Sequence, residues 1–208
     1  MTRVAVFIDY ENIRYGARNA FGDPRRDPYT FGHVLPLRLG LLLKQLGESI
    51  DPDRELIAVS VYRGRPGPKS GPRAQAGAAR QFASWEAQPL VRVRSRQLRY
   101  QPIAWSMGRP SEWRAEEKGI DVMMALDIAL GARDDMYDVA IVASADSDLV
   151  PAVEVALDAG KRVETAMWWS SANPHHRLKI PGRRLWNHAL DVARFEQVRD
   201  DADYTRMA

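Results

Sequence analysis

The stretch from Asp138 to Trp168, DVAIVASADSDLVPAVEVALDAGKRVETAMW, decides the fold. Asp138 to Ala143 is a short apolar run of strand length. A polar SADSD segment follows, then a helix from Leu149 to Ala159 that Gly160 ends, then a second strand from Arg162 to Trp168. Strand, helix and strand in so short a span form a βαβ unit, and parallel strands joined in this way build an α/β fold.

Working outward, the same alternation recurs. Arg3 to Ile8, RVAVFI, has the character of a buried strand, and Asp9 stands at its end. A helix is expected from about Val34 to Gly47, with Pro36 in its first turn, and a second strand from Glu55 to Tyr62. GRPGPKSGP, Gly64 to Pro72, breaks any regular element. The alanine-rich Arg73 to Gln88 reads as a helix, and Leu90 to Val93 as a third strand. Arg94 to Glu117 mixes Arg, Tyr, Trp, Gly and Pro without a single period and reads as a loop or β-hairpin excursion. Ile120 to Leu130 is apolar apart from Asp121 and Asp127, which is the pattern of a buried helix. The expected organisation is one domain over residues 1–170, with the basic excursion at about 90–117, and a loop-rich extension over 171–208 whose last residues are candidates for disorder.

Composition narrows the function classes. An apolar share of 45% and a charged share of 27% are those of a globular domain. The absence of cysteine excludes disulfides and thiolate metal sites. No apolar run approaches the roughly 18 residues of a membrane span, so the expectation is a cytoplasmic protein with no membrane partner. The net charge of +3 hides an uneven distribution: Arg54 to Ala115 holds 12 Lys and Arg against 3 Asp and Glu. The remainder holds 18 basic and 24 acidic residues. A basic middle on an acidic remainder suits a polyanion-binding surface beside a site that needs carboxylates.

Right-handed crossovers put the strand C-termini on one edge of a parallel sheet, where ligands bind. Asp9 after the first strand and Asp146 and Asp148 after the fourth fall on that edge, and Asp121 opens the buried helix. Four carboxylates in one cleft repel each other unless a hard divalent cation sits among them. Each has a plainer reading, as a turn-former, a cap or a first-turn acid, and the joint occurrence in this order is what points to metal chemistry. No G-x-G-x-x-G follows the first strand and no G-x-x-x-x-G-K-[ST] occurs, which disfavours dinucleotide and triphosphate sites. An aspartyl-phosphate phosphatase shares only the use of strand-end aspartates.

VAVFIDYENI, EKGIDVMMALDIA and YDVAIVASADSDLVPAVEVALDAGKRV together resemble the NYN domain, in its LabA-like branch, within the PIN-like superfamily of metal-dependent nucleases. The resemblance implies a Rossmann-like three-layer α/β/α sandwich with a mainly parallel sheet and an acidic site for Mg2+ or Mn2+. It implies Asp9, Asp121 and Asp146 as metal ligands with Asp148 as a fourth, Asn12 as an orienting residue, and Ser144 as a hydrogen-bond donor. Asp127 matches a recurrent family acid, but on a helix it lies about 120° around the axis from Asp121. Glu11 belongs to the first motif, and Lys118 is placed to approach a phosphate.

The activity so implied is that of a ribonuclease hydrolysing RNA phosphodiester bonds, with single-stranded RNA as the foremost substrate; endo- against exonucleolytic action and single-stranded DNA stay open. The alternative is a catalytically inactive RNA-binding or regulatory module on the same fold. In the basic middle, Arg92, Arg94, Arg96 and Arg99 interleave with Tyr100 and Trp105 as a platform for phosphates and unpaired bases. His175 and His176 read as a polar loop. A homodimer is compatible with all of this.

Overall fold

In a computed structural model of the chain, residues 1–23, 25–28, 30–106, 109–172 and 177–206 are described, without the side chains of 105–106 and 109–111. The elements run β1 (Thr2–Asp9), α1 (Tyr10–Phe21), α2 (Pro36–Gly47), β2 (Arg54–Arg65), α3 (Pro72–Glu86) and β3 (Val91–Gln97). They continue with β4 (Arg99–Ser106), β5 (Arg109–Glu116), α4 (Ile120–Arg133), β6 (Val139–Ala143), α5 (Val150–Asp158), β7 (Arg162–Trp168), β8 (Trp186–Leu190) and α6 (Val192–Val198).

Six strands form one sheet in the order β3-β2-β1-β6-β7-β8, and every neighbouring pair in it is parallel. Strands β4 and β5 stand apart as an antiparallel hairpin. The architecture is therefore the expected α/β sandwich on a parallel sheet. From β1 the chain winds outward to β2 and β3, then returns to β6 and winds outward the other way. The order reverses between β1 and β6, which is where such sheets open a crevice at their C-terminal edge.

The strand period of two sorts the core into layers. Along β1, Val4, Val6 and Ile8 join Ile13, Leu39, Leu43, Trp85 and Phe195 on one face. Ala5 and Phe7 join Met124, Ile128, Val153 and Ala156 on the other. The first face is covered by α1, α2, α3 and α6, the second by α4 and α5. No helix among the described residues is long and apolar enough to cross a membrane.

Strand β3 runs on past Val93 to Gln97, so Arg94 to Gln97 belong to the sheet and not to the excursion, and two further regions depart from the sequence reading. Helix α1 follows β1 without a loop, because the Asp9 carboxylate caps it by accepting from Asn12 N. Its buried residues are Tyr10, Ile13, Arg14 and Ala17, a helical spacing masked in the sequence by an arginine in the apolar stripe. Gly16 lets the helix approach β7: a Cβ there would lie 3.0 Å from Trp168 Cδ1, and the Trp168 indole donates to Ile13 O at 2.7 Å. The tail beyond Ser170, read as irregular, carries the sixth strand and a helix. β8 pairs with β7, and Phe195 of α6 is fully buried against Phe21, Phe31 and Trp168. Asp200, within the segment considered for disorder, is buried and donates its backbone N–H to His33 O at 2.9 Å.

Candidate metal centre

Strand β1 ends on Asp9 and β6 on Ala143, side by side across the reversal point. Chain geometry alone thus places Asp9 beside the Ser144–Asp148 turn. Ser144, fully buried, ties the two strand ends together. Its hydroxyl donates to Asp9 Oδ2 at 2.9 Å and accepts from Asp146 N at 3.1 Å. Asn12 adds a second tie, its Oδ1 accepting from Ala145 N at 3.3 Å. The Asp146 carboxylate caps the short 3-10 turn Ser147–Leu149 by accepting from Asp148 N at 2.9 Å.

The third acid arrives from the other side of the crevice. Gly119, at φ +75°, turns the chain into α4 and sets Asp121 in its first turn. Asp9, Asp121 and Asp146 each offer one carboxylate oxygen, and the three oxygens lie within 4.8 Å of one another. Burial pushes the Asp9 carboxyl up to about 7, against the hydrogen bonds from Asn12 and Ser144, with the charges of Asp121 and Glu117 adding to the rise. Asp121 is also raised, by burial first and then by the charges of Asp146 and Asp148.

An all-oxygen cluster of this kind suits a hard divalent cation, which offsets the mutual repulsion of its carboxylates. The residues present therefore fit such an ion. An open groove of about 360 Å³ leads to the cluster and is lined by Asp9, Glu11, Asn12, Tyr15, Glu117 and Asp121 among others.

The remaining candidates divide. Asp148 is exposed and stands outside the three-oxygen cluster, though its charge reaches Asp121. Glu11 lines the groove, but its carboxylate is taken up by ion pairs with Arg14 and Arg63, each at 2.8 Å. Asp127 is held elsewhere: it accepts from Tyr62 Oη at 2.8 Å and from Arg94 at 2.8 and 3.1 Å. That agrees with its angular separation from Asp121 around the helix. Lys118 is exposed just before α4.

Of the basic platform, Arg92, Arg94 and Arg96 lie on β3 and Arg99 on the hairpin, all exposed. Tyr100 is half-buried and holds the Gly67–Ser70 turn, its hydroxyl accepting from Gly67 N at 2.7 Å and bonding to Ser70 Oγ. Lys69 of that turn sits 3.1 Å over the Trp113 ring. The Trp105 side chain, and His175 and His176, lie outside the described residues. Glu117 was not singled out by the sequence. It lines the groove, and its Oε1 accepts from Gly64 N at 2.5 Å. The string EKGID carried the signal, an acid four residues before Asp121 at the entry to α4.

Residues 3–178 match the NYN domain. No curated protein matches the chain. Among solved structures, the chain is similar to the crystal structure of a protein of unknown function from Vibrio parahaemolyticus. The two are 18% identical with a TM-score of 0.47 over 79% of this chain and 80% of that one.

Proposed function

The chain belongs to the NYN domain family, and on that premise we propose that it is a metal-dependent ribonuclease of the LabA-like branch. The observation that carries the reading is the approach of the Asp9, Asp121 and Asp146 oxygens to within 4.8 Å at the point where strand order reverses. These three residues would hold a Mg2+ or Mn2+ ion, which supplies charge stabilisation at a phosphodiester and an activated water. Ser144 and the backbone N–H of Asn12 occupy one oxygen each of Asp9, so its carboxylate is aimed before any ligand arrives. Asn12 spends its Oδ1 on Ala145 N, which leaves its amide NH2 to donate toward a phosphate oxygen or a water. Asp148 stands at the rim to receive a proton or position a water.

The test is cleavage of a labelled single-stranded RNA with Mg2+ or Mn2+, with EDTA, and by the Asp146→Asn variant. Metal-dependent cutting that both controls abolish is the expected result. RNA that is bound but never cut with either metal would instead make the chain a binding module on a nuclease fold.

A further inference from the structure

Strand β3 carries Arg92, Arg94 and Arg96 opposite Ser60, Tyr62 and Gly64 of β2. Alternate residues of a strand share a face, at steps of about 6.7 Å. The face is the one toward α4, because Arg94 bonds Asp127 in the middle of that helix. Arg96 reaches its start: a Cβ on Gly119 would lie 2.8 Å from Arg96 Nη1. The column therefore runs alongside α4 from Asp127 toward the start of the helix, a span of six helical residues or about 9 Å from Asp127 to Asp121, and ends beside Gly119, two residues before Asp121.

Between β3 and α4 lies a cavity of about 420 Å³. Its floor is Ala5, Phe7, Ala58 and Ser60 of the sheet, and Arg92, Arg94 and Asp127 stand on its rim. Among the described residues no carboxylate pairs with Arg92 or Arg96, whereas Arg94 is engaged by Asp127. Two guanidinium groups that make no ion pair among the described residues flank one that is held, above a recess floored by small and apolar residues, with Asp134 at its far end already paired with Arg133. The charges suit successive phosphates, and the recess suits a base that has no pairing partner.

We infer that this face of β3 is the track along which a single-stranded polynucleotide reaches the metal centre. Arg92 and Arg96 take backbone phosphates, one base lies in the recess, and Asp127 restrains Arg94 until a phosphate displaces it. The inference rests on the nuclease reading for its direction but not for its test.

Fluorescence anisotropy of the full chain with a labelled oligouridylate, in EDTA so that nothing is cut, reads the track alone. Each phosphate contact removed lowers the slope of log affinity against log salt by about 0.7 for a single strand. Arg92→Ala with Arg96→Ala should therefore weaken binding and flatten the slope by about 1.4, and lysine at both positions should restore it. The pair Arg25→Ala and Arg38→Ala, which removes equal charge from outside the face toward α4 (Arg38 lies across the sheet, beside Val91), should change neither.

Asp127→Asn should tighten binding by releasing Arg94, and a blunt RNA duplex should bind more weakly than the single strand. Thermal melts of each variant separate loss of contact from loss of fold. An unchanged slope in the β3 variant, equal loss in the Arg25 and Arg38 pair, weaker binding by a folded Asp127→Asn, or preference for duplex would each overturn the track. Failure of metal-dependent cleavage leaves it standing, and failure of the track with cleavage intact leaves the nuclease.

Discussion

Asp9 is the residue on which structure and chemistry make opposite demands. It caps α1 and accepts from a buried serine, yet burial among other acids lifts its carboxyl to about 7. The unfolded chain releases this proton near the ordinary value of about 3.9. Between the two values the folded state holds the extra proton, so Asp9 costs stability progressively as pH rises through that window. In the metal-free protein Asp9→Asn should melt higher than the parent, with a gap that is narrow at about pH 5 and wide at about pH 8. Thermal melts in EDTA check this, and a gap that does not grow with pH would mean the carboxylate is charged there at no cost. Added Mg2+ or Mn2+ should raise the parent's melting temperature and leave the variant's nearly unmoved, because ligand binding stabilises only a fold that can bind.

At the scale of elements, a buried ion network joins three strands that are distant in sequence. Glu164 of β7 accepts from Arg54 of β2, with Nη1 at 2.9 Å and a closer contact from Nη2, and bonds to His188 Nε2 of β8 at 2.8 Å. All three side chains are buried. Burial works against the Glu164 charge, but the hydrogen bonds from His188 and Arg54 outweigh it and hold the carboxyl down at about 2. A depressed acid contributes stability that is fully present above its unfolded value of about 4.3 and is lost as pH falls toward the folded one. Glu164→Gln leaves Arg54 buried without its counter-charge, at a cost of about 3–5 kcal/mol. Urea unfolding at neutral pH measures that cost, and the variant should also lose the parent's steepening loss of stability below about pH 4.

The segment beyond Ser170 is structural for the whole molecule. It supplies β8, the aromatic anchor Phe195, and Leu178 and Ile180 in the second core. It also closes back on the start of α2 through Leu35 N to Val198 O at 2.8 Å. A chain stopped at Ser170 would expose β7 as a sheet edge and uncover Trp168 and Phe21, which pack on Phe195. Such a truncation should lose its cooperative thermal transition and bind an apolar dye. A cooperative melt close to the parent's would show that residues 1–170 fold alone.

Much of this was legible in the residues. The strand-helix-strand alternation, the parallel sheet and the acids at its edge follow from local periodicity and from the short reach of βα turns, both of which a single sequence displays. The hairpin at 99–116 was legible only as an excursion of either loop or hairpin form, because its strands pair with each other and not with the sheet. Helix α1 and β8 were not legible. The first buries an arginine in its apolar stripe, and the second is a five-residue edge strand with a half-exposed pattern.

Nor could chain order tell which arginines of the basic middle face outward alone. That Tyr100 holds a turn, that Arg94 is taken by Asp127 and that Glu117 joins the groove at the acidic cluster depend on contacts between residues 30 to 53 positions apart. Alternation and spacing specify elements because they act within a few residues. The division of charged side chains between fold and site belongs to packing, since only neighbours brought together by the tertiary structure can neutralise a charge or leave it free.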